Sequence, residues 1–263
     1  MSSLVTRVRQ KQIEQQLEKG KRLDGRGLSD HREIKIEQGI IEKAEGSARV
    51  LLGKTEVLVG VKIETGTPFP DTPNDGVLTV NAELVPLASP SFEPGPPDEK
   101  SIELARIVDR GIRESKAIDT EKLCIEPGKK VFVVFVDIYV LNHDGNLIDA
   151  SALAAVSALL NTKMPNYEVK EGEVVIKQGY TQLPIKSHPI TVTLGKINNN
   201  LIVDPGLEEE QVINARLSMA FNDEGNICAI QKGRAGYFTQ QQILEGMKLA
   251  QEKAAEVRKK VKW

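Results

Sequence analysis

Hydrophobic positions change period several times along this chain of 263 residues, and each change predicts an element. Leu4, Val8, Ile13 and Leu17 recur near helical spacing with Gln and charged residues between them, predicting an amphipathic helix over 3–20. Gly20-Lys21-Arg22-Leu23-Asp24-Gly25-Arg26-Gly27 follows as a turn-rich basic linker, and its charge is compatible with a solvated loop. Ile34-Lys35-Ile36 alternates. The aliphatic runs 48–52 and 56–63 flank Gly53-Lys54-Thr55, predicting strands joined as a hairpin. Residues 65–76 read as a loop, 77–84 as a strand, and the proline-rich stretch 86–97 as an irregular connection. A helix is predicted over 100–116. Residues 131–141 are apolar on both faces, the mark of a central strand. After the turn at His143-Asp144-Gly145-Asn146, the alanine-rich run from Asp149 to Leu160 predicts a helix buried nearly all round.

The remainder repeats the pattern. Strands are predicted near 173–177 and over 190–197. Thr191–Leu194 and Asn200–Val203 flank a turn at 196–199, and Gln211–Phe221 and Ile227–Gln231 flank Asn222-Asp223-Glu224-Gly225, so two hairpins are expected. Thr239-Gln240-Gln241-Gln242 is a capping box opening a final helix, whose basic end Arg258-Lys259-Lys260 suits the negative end of the helix dipole. Strands precede helices twice, which predicts an α+β fold of two unequal units.

Composition narrows the function. No apolar run is long enough for a spanning helix, and the N-terminus lacks an apolar block of the signal-peptide kind, so a cytoplasmic protein is expected, with no membrane partner. Cys124 and Cys228 are the only cysteines and are expected in core or strand positions; with His31, His143 and His188 they are too few for a zinc ribbon, a disulfide framework or a histidine-rich metal centre. No cofactor or metal is expected. The net charge of −2 argues against coating nucleic acid by bulk charge, and 4% aromatic residues argue against a base-stacking platform as the main device.

Three places carry candidate chemistry. On the helix over 100–116, Arg106, Arg110 and Arg113 fall within about 60° of one another, opposite Leu104, Ile107, Val108 and Gly111. Guanidinium forks in line suit the phosphates of a single-stranded backbone. A charged exposed helix face is ordinarily a salt-bridged surface, however, and Asp109 lies four residues before Arg113 in the favourable order. The turn Asp144-Gly145-Asn146-Leu147-Ile148-Asp149 leads into a helix N-terminus, a natural anion site. It holds no Ser, Thr, Arg or Lys to grip a phosphate, and Asp149 is expected to cap the helix itself. The run Asp204-Pro205-Gly206-Leu207-Glu208-Glu209-Glu210 could hold Mg²⁺ or supply a general acid, but such runs are ordinarily solvated loops.

The chain resembles the ribonuclease PH domain family, and within it the larger, non-catalytic ring subunit of the archaeal exosome. The resemblance is carried by Arg22-Leu23-Asp24-Gly25-Arg26, Gly46-Ser47-Ala48-Arg49-Val50, Phe92-Glu93-Pro94-Gly95-Pro96-Pro97, the helix from Glu103 to Arg110, the segment Asp137–Asn146 and the run Asp204–Glu210. It implies a ribonuclease PH-type fold with two βαβ-containing halves, assembled in six-membered rings. On this basis the chain divides into an N-terminal helix and basic linker (1–30), an N-terminal-type region (31–185) and a C-terminal-type region (186–263).

The resemblance also implies partners: a catalytic ribonuclease PH-type subunit in a trimer of heterodimers, RNA-binding cap subunits, and single-stranded RNA. Active members degrade RNA from the 3′ end with inorganic phosphate and release nucleoside diphosphates. They carry a Gly-Gly-Ser/Thr-Arg type phosphate loop at the turn before the buried helix, and two aspartates six residues apart. Here Asn146, Leu147 and Ile148 follow Gly145, and Glu210 stands at the second aspartate position while Asp204 matches the first. No catalytic residue is therefore assigned. Arg106, Arg110 and Arg113 are expected to bind RNA, with Arg110 and Arg113 foremost. Two alternatives stay open: an active exoribonuclease with Asp204 and Glu210 as its acid pair, and a monomeric RNA-binding module.

Overall fold

The computed structural model describes residues 3–170 and 173–261. α1 (Ser3–Glu18) buries Ile13 and Leu17; the side chain of Leu4 lies outside the described residues. Alternating aliphatic residues then build the first sheet from β1 (Ile34–Gln38), β2 (Gly46–Leu52), β3 (Thr55–Gly66) and β4 (Val77–Leu84). α2 (Glu99–Glu114) is capped by Asp98, whose side chain accepts from Ser101 N at 2.8 Å. The short β5 (Cys124–Glu126) leads into β6 (Lys130–Asn142). The strand order is β1-β2-β3-β6-β4, so β6 is central as its apolar faces predict. β4 and β6 run parallel, and the connection between them passes through α2.

α3 (Leu147–Leu160) is buried along almost its whole length. It packs against β2 and β3 of the first sheet and against β9 (Ile190–Ile197) of the second, which makes it the shared core of the two halves. β7 (Lys163–Lys170) and β8 (Glu173–Gln182) form a two-stranded antiparallel ribbon. The sequence points only to part of β8, because β7 contains Pro165 and lacks an apolar alternation.

The second sheet has the order β10-β9-β11-β12, with β10 at Asn200–Val203, β11 at Ala215–Phe221 and β12 at Ile227–Gly233. β10 and β11 both run antiparallel to β9, so they are parallel to each other on its two sides, joined through the short α4 (Leu207–Glu210). β11 begins at Ala215 rather than Gln211, because the four residues after α4 continue its turn: Val212 N and Ile213 N both donate to the Glu209 carbonyl. α5 (Gln240–Lys260) starts at the Thr239 capping box, with both reciprocal hydrogen bonds present, and packs on β9. Cys124 and Cys228 sit in β5 and β12 as free thiols. Among the described residues no helix is long and apolar enough to cross a membrane.

Candidate functional site

The first N–H groups of a helix lack intrahelical partners and attract anions. At the start of α3 the chain supplies the anion itself. The Glu210 carboxylate accepts from Asn146 N at 2.8 Å. Asn146 sits at φ 50°, a left-handed conformation Asn tolerates, and its Oδ1 accepts from Asp149 N at 3.4 Å. Asn146, not Asp149, is therefore the cap. The helix begins at Leu147, which turns Asp149 inward to accept from Thr193 N at 2.9 Å and Thr193 Oγ1 at 2.7 Å. Gly145 permits the closure: at φ +89°, a Cβ there would lie 2.5 Å from the backbone of Gly206 and Leu207.

The acidic run is not a solvated loop. Asp204 is fully buried and Glu209 nearly so. Arg32 donates to Asp204 Oδ2 from N and Nε, both at 2.9 Å, and to Oδ1 from Nη2 at 2.7 Å. Arg26 Nη1 reaches Oδ2 at 3.0 Å, and Asn146 Nδ2 bridges Asp204 Oδ1 at 2.8 Å and Asp149 Oδ2 at 2.7 Å. Arg32 continues to the carbonyls of Asp144 at 2.7 Å and Gly145 at 3.1 Å. Arg22, its side chain shut off from solvent, holds both oxygens of Glu209 and the Val203 carbonyl. The basic linker is thus an anchor rather than a solvated loop, and planar forks take up both carboxylates.

These contacts set the protonation states. Burial alone would raise Asp204, but Arg32 holds it at about 2. Burial pushes Asp149 up to about 7, against the hydrogen bonds from Asn146 and Thr193. Burial also raises Glu210 above the usual carboxylate range.

The arginine face of α2 is open by contrast. Arg106, Arg110 and Arg113 are exposed, while Leu104, Val108 and Gly111 are buried. The three do not share one environment. Arg106 overlooks a groove of about 510 Å³ along β4, and makes no hydrogen bond or ion pair among the described residues. Arg110 turns to the second sheet, where its Nη1 donates to Gln231 Oε1 at 3.1 Å. Arg113 is held by Asp109 through two contacts, at 2.7 and 3.2 Å, and donates to the Leu78 carbonyl at 3.2 Å. The sequence ranks Arg113 with Arg110; the geometry leaves Arg106 and Arg110 with more donors free.

Two family models match the chain: 3′ exoribonuclease family domain 1 over residues 30–165 and domain 2 over 187–253. The chain belongs to this family, RNase PH. Among curated relatives, a protein named Exosome complex component Rrp42 from Pyrococcus horikoshii is 57% identical over 92% of this chain and 89% of its own length. The protein of the same name from Methanopyrus kandleri is 51% identical over 98% of this chain and 97% of its own. A solved structure described as the Archaeoglobus fulgidus exosome with RNA bound to the active site superposes with a TM-score of 0.91 at 45% identity, covering 99% of this chain and all of that one.

The α+β, RNase PH-type expectation therefore holds. What sequence reasoning missed in this RNase PH chain is Arg32 and the clamp it completes with Arg22 and Arg26. The available signal was residue type: arginine rather than lysine ahead of the first strand, the choice that suits buried bidentate pairing.

Proposed function

We propose that this chain is a non-catalytic, RNA-contacting ring subunit of a hexameric 3′–5′ phosphorolytic exoribonuclease, the exosome core. Family membership and the names of the relatives support the ring-subunit reading. The non-catalytic reading is carried by one observation: the Glu210 carboxylate occupies the backbone N–H at the start of α3. An orthophosphate there would meet a carboxylate already in place, and Asp204, the remaining candidate acid, is held ionised by Arg26 and Arg32. The partner is a catalytic RNase PH-type subunit, three heterodimers closing the ring, with RNA-binding cap subunits beside it and a cytoplasmic location. The working division remains 1–30, 31–185 and 186–263. Arg106, Arg110 and Arg113 form the face toward single-stranded RNA, and positioning a backbone there assists the partner's reaction without bond chemistry in this chain.

The experiment is reconstitution. The purified chain, given RNA and phosphate, should release no nucleoside diphosphate, and mixing with the catalytic partner should restore decay. Glu210→Gln should leave the rate of the ring unchanged. A sharp fall would instead make Asp204 and Glu210 a working acid pair, and a chain that stays monomeric beside the partner would sink the ring reading.

A further inference from the structure

α2 is fastened sideways to the second sheet at two points about two turns apart. Arg216 of β11 donates from Nη2 to Glu103 at 2.6 Å, and Arg110 donates from Nη1 to Gln231 Oε1 of β12 at 3.1 Å. Helix and sheet also approach closely beside the second tie, where a Cβ on Gly111 would lie 3.6 Å from that of Ala220.

The fold sets where the Gln231 amide points. Gln231 stands opposite Ser218 in the β11–β12 register, and Ser218 is buried with its Oγ 2.9 Å from Thr193 Oγ1. Gln231 is half-buried and lines a small cleft with Ile107, Arg110, Ser218 and Ala229. Its Nε2 donates to the Lys232 carbonyl at 3.4 Å, which leaves Oε1 toward Arg110.

This makes Arg110 unlike its two neighbours on α2. Among the described residues Arg106 is untethered, and Arg113 is held by the Asp109 carboxylate. Arg110 is held by a neutral amide, in its one hydrogen bond among the described residues. An amide acceptor takes one of the five guanidinium donors and none of the charge, whereas a carboxylate offsets the charge as well. A side chain held beforehand also loses less freedom when a ligand arrives. Resting on the reading of α2 as an RNA surface, we propose that Gln231 is a positioning residue for RNA decay by the ring, presenting the Arg110 guanidinium to an RNA phosphate without neutralising it.

The test uses the assembled ring, single-stranded RNA and phosphate, and reads kcat, KM and RNA affinity against salt. Gln231→Met keeps the length of the side chain and removes the acceptor. It should raise KM by about two- to fivefold with kcat and the salt slope unchanged, because the charge stays while its placement is lost. Gln231→Glu keeps the acceptor and adds a charge, so affinity should fall by about fivefold or more and the salt slope by about one. In an Arg110→Ala background, Gln231→Met should have no further effect. An equal loss in that background would show that Gln231 does not act through Arg110 and would overturn the proposal. Arg106→Glu with Arg110→Glu is measured alongside. If that pair weakens RNA binding and Gln231→Met leaves KM unchanged, the positioning role is overturned while the α2 reading stands. If the arginine pair has no effect, the α2 reading fails and the role of Gln231 falls with it.

Discussion

Arg22, Arg26 and Arg32 form one set of arginines in this chain, and Arg106, Arg110 and Arg113 another. The side chain is the same and the surroundings are opposite. The first set lies against buried carboxylates and carbonyls, where guanidinium donors meet Asp204, Glu209 and the backbone of Val203, Asp144 and Gly145. The second lies on an exposed helix face, where, among the described residues, Arg106 has no internal partner and Arg110 has one. An arginine whose donors are met inside the fold stabilises it; one whose donors face solvent is free to bind a phosphate. The same contrast separates the start of α3, where the chain's own Glu210 takes the Asn146 N–H, from α2.

The largest test of this contrast is Asp204→Ala. Removing one partner from a buried ionic cluster leaves Arg32 uncompensated, and the expected loss is about 3–5 kcal/mol in chemical denaturation. A loss under about 1 kcal/mol would show that the inner set does not stabilise the fold. The cluster also predicts a pH profile. Asp204 titrates at about 2 in the folded chain against an ordinary 3.8, so its contribution is present above pH 4 and disappears as pH falls toward 2. Asp149 is shifted the other way, to about 7 from 3.8. Between those values only the unfolded chain releases the proton, so stability falls as pH rises from about 4 and levels off above about 7. Asp149→Asn should flatten that decline, with melting temperature followed across the range; an unchanged slope would remove Asp149 as its source.

The outer set is tested by Arg106→Glu with Arg110→Glu. RNA affinity of the ring should fall by more than about tenfold and its salt slope by about two, with little change in melting temperature. A variant that unfolds the chain but spares RNA binding would reverse the roles assigned to the two sets.

Much of this division was legible before the fold was known. The period of the apolar residues places α2 with its arginines outward, and the turn 144–149 visibly holds no Ser, Thr, Arg or Lys. The clamp was not legible in the same way. Arg22 and Arg32 lie far along the chain from Glu209 and Asp204, and a local reading cannot pair them. For the same reason the acidic run looks solvated: its burial depends on a linker contributed from the other end of the chain. The cap moved from Asp149 to Asn146 because Thr193, on a strand of the second sheet, offers Asp149 two donors that the turn alone does not reveal.

Arg113 gives the smallest and finest test, because it belongs to the outer set by position and resembles the inner set by contacts. Asp109 holds it four residues back, with half of the arginine side chain still exposed. An exposed helical pair of this kind contributes about 0.3–0.5 kcal/mol, so Arg113→Ala should barely move the melting temperature. Its effect on RNA affinity should also stay below about threefold, since a guanidinium already engaged by a carboxylate has little net charge to offer a phosphate. The converse variant separates position from pairing. Asp109→Ala frees the fork without moving it, and RNA affinity should rise by about two- to threefold at low salt, with the gain fading as salt increases. If freeing Arg113 changes nothing, then its direction toward the Leu78 carbonyl, rather than its pairing with Asp109, limits what it contributes to the proposed RNA face.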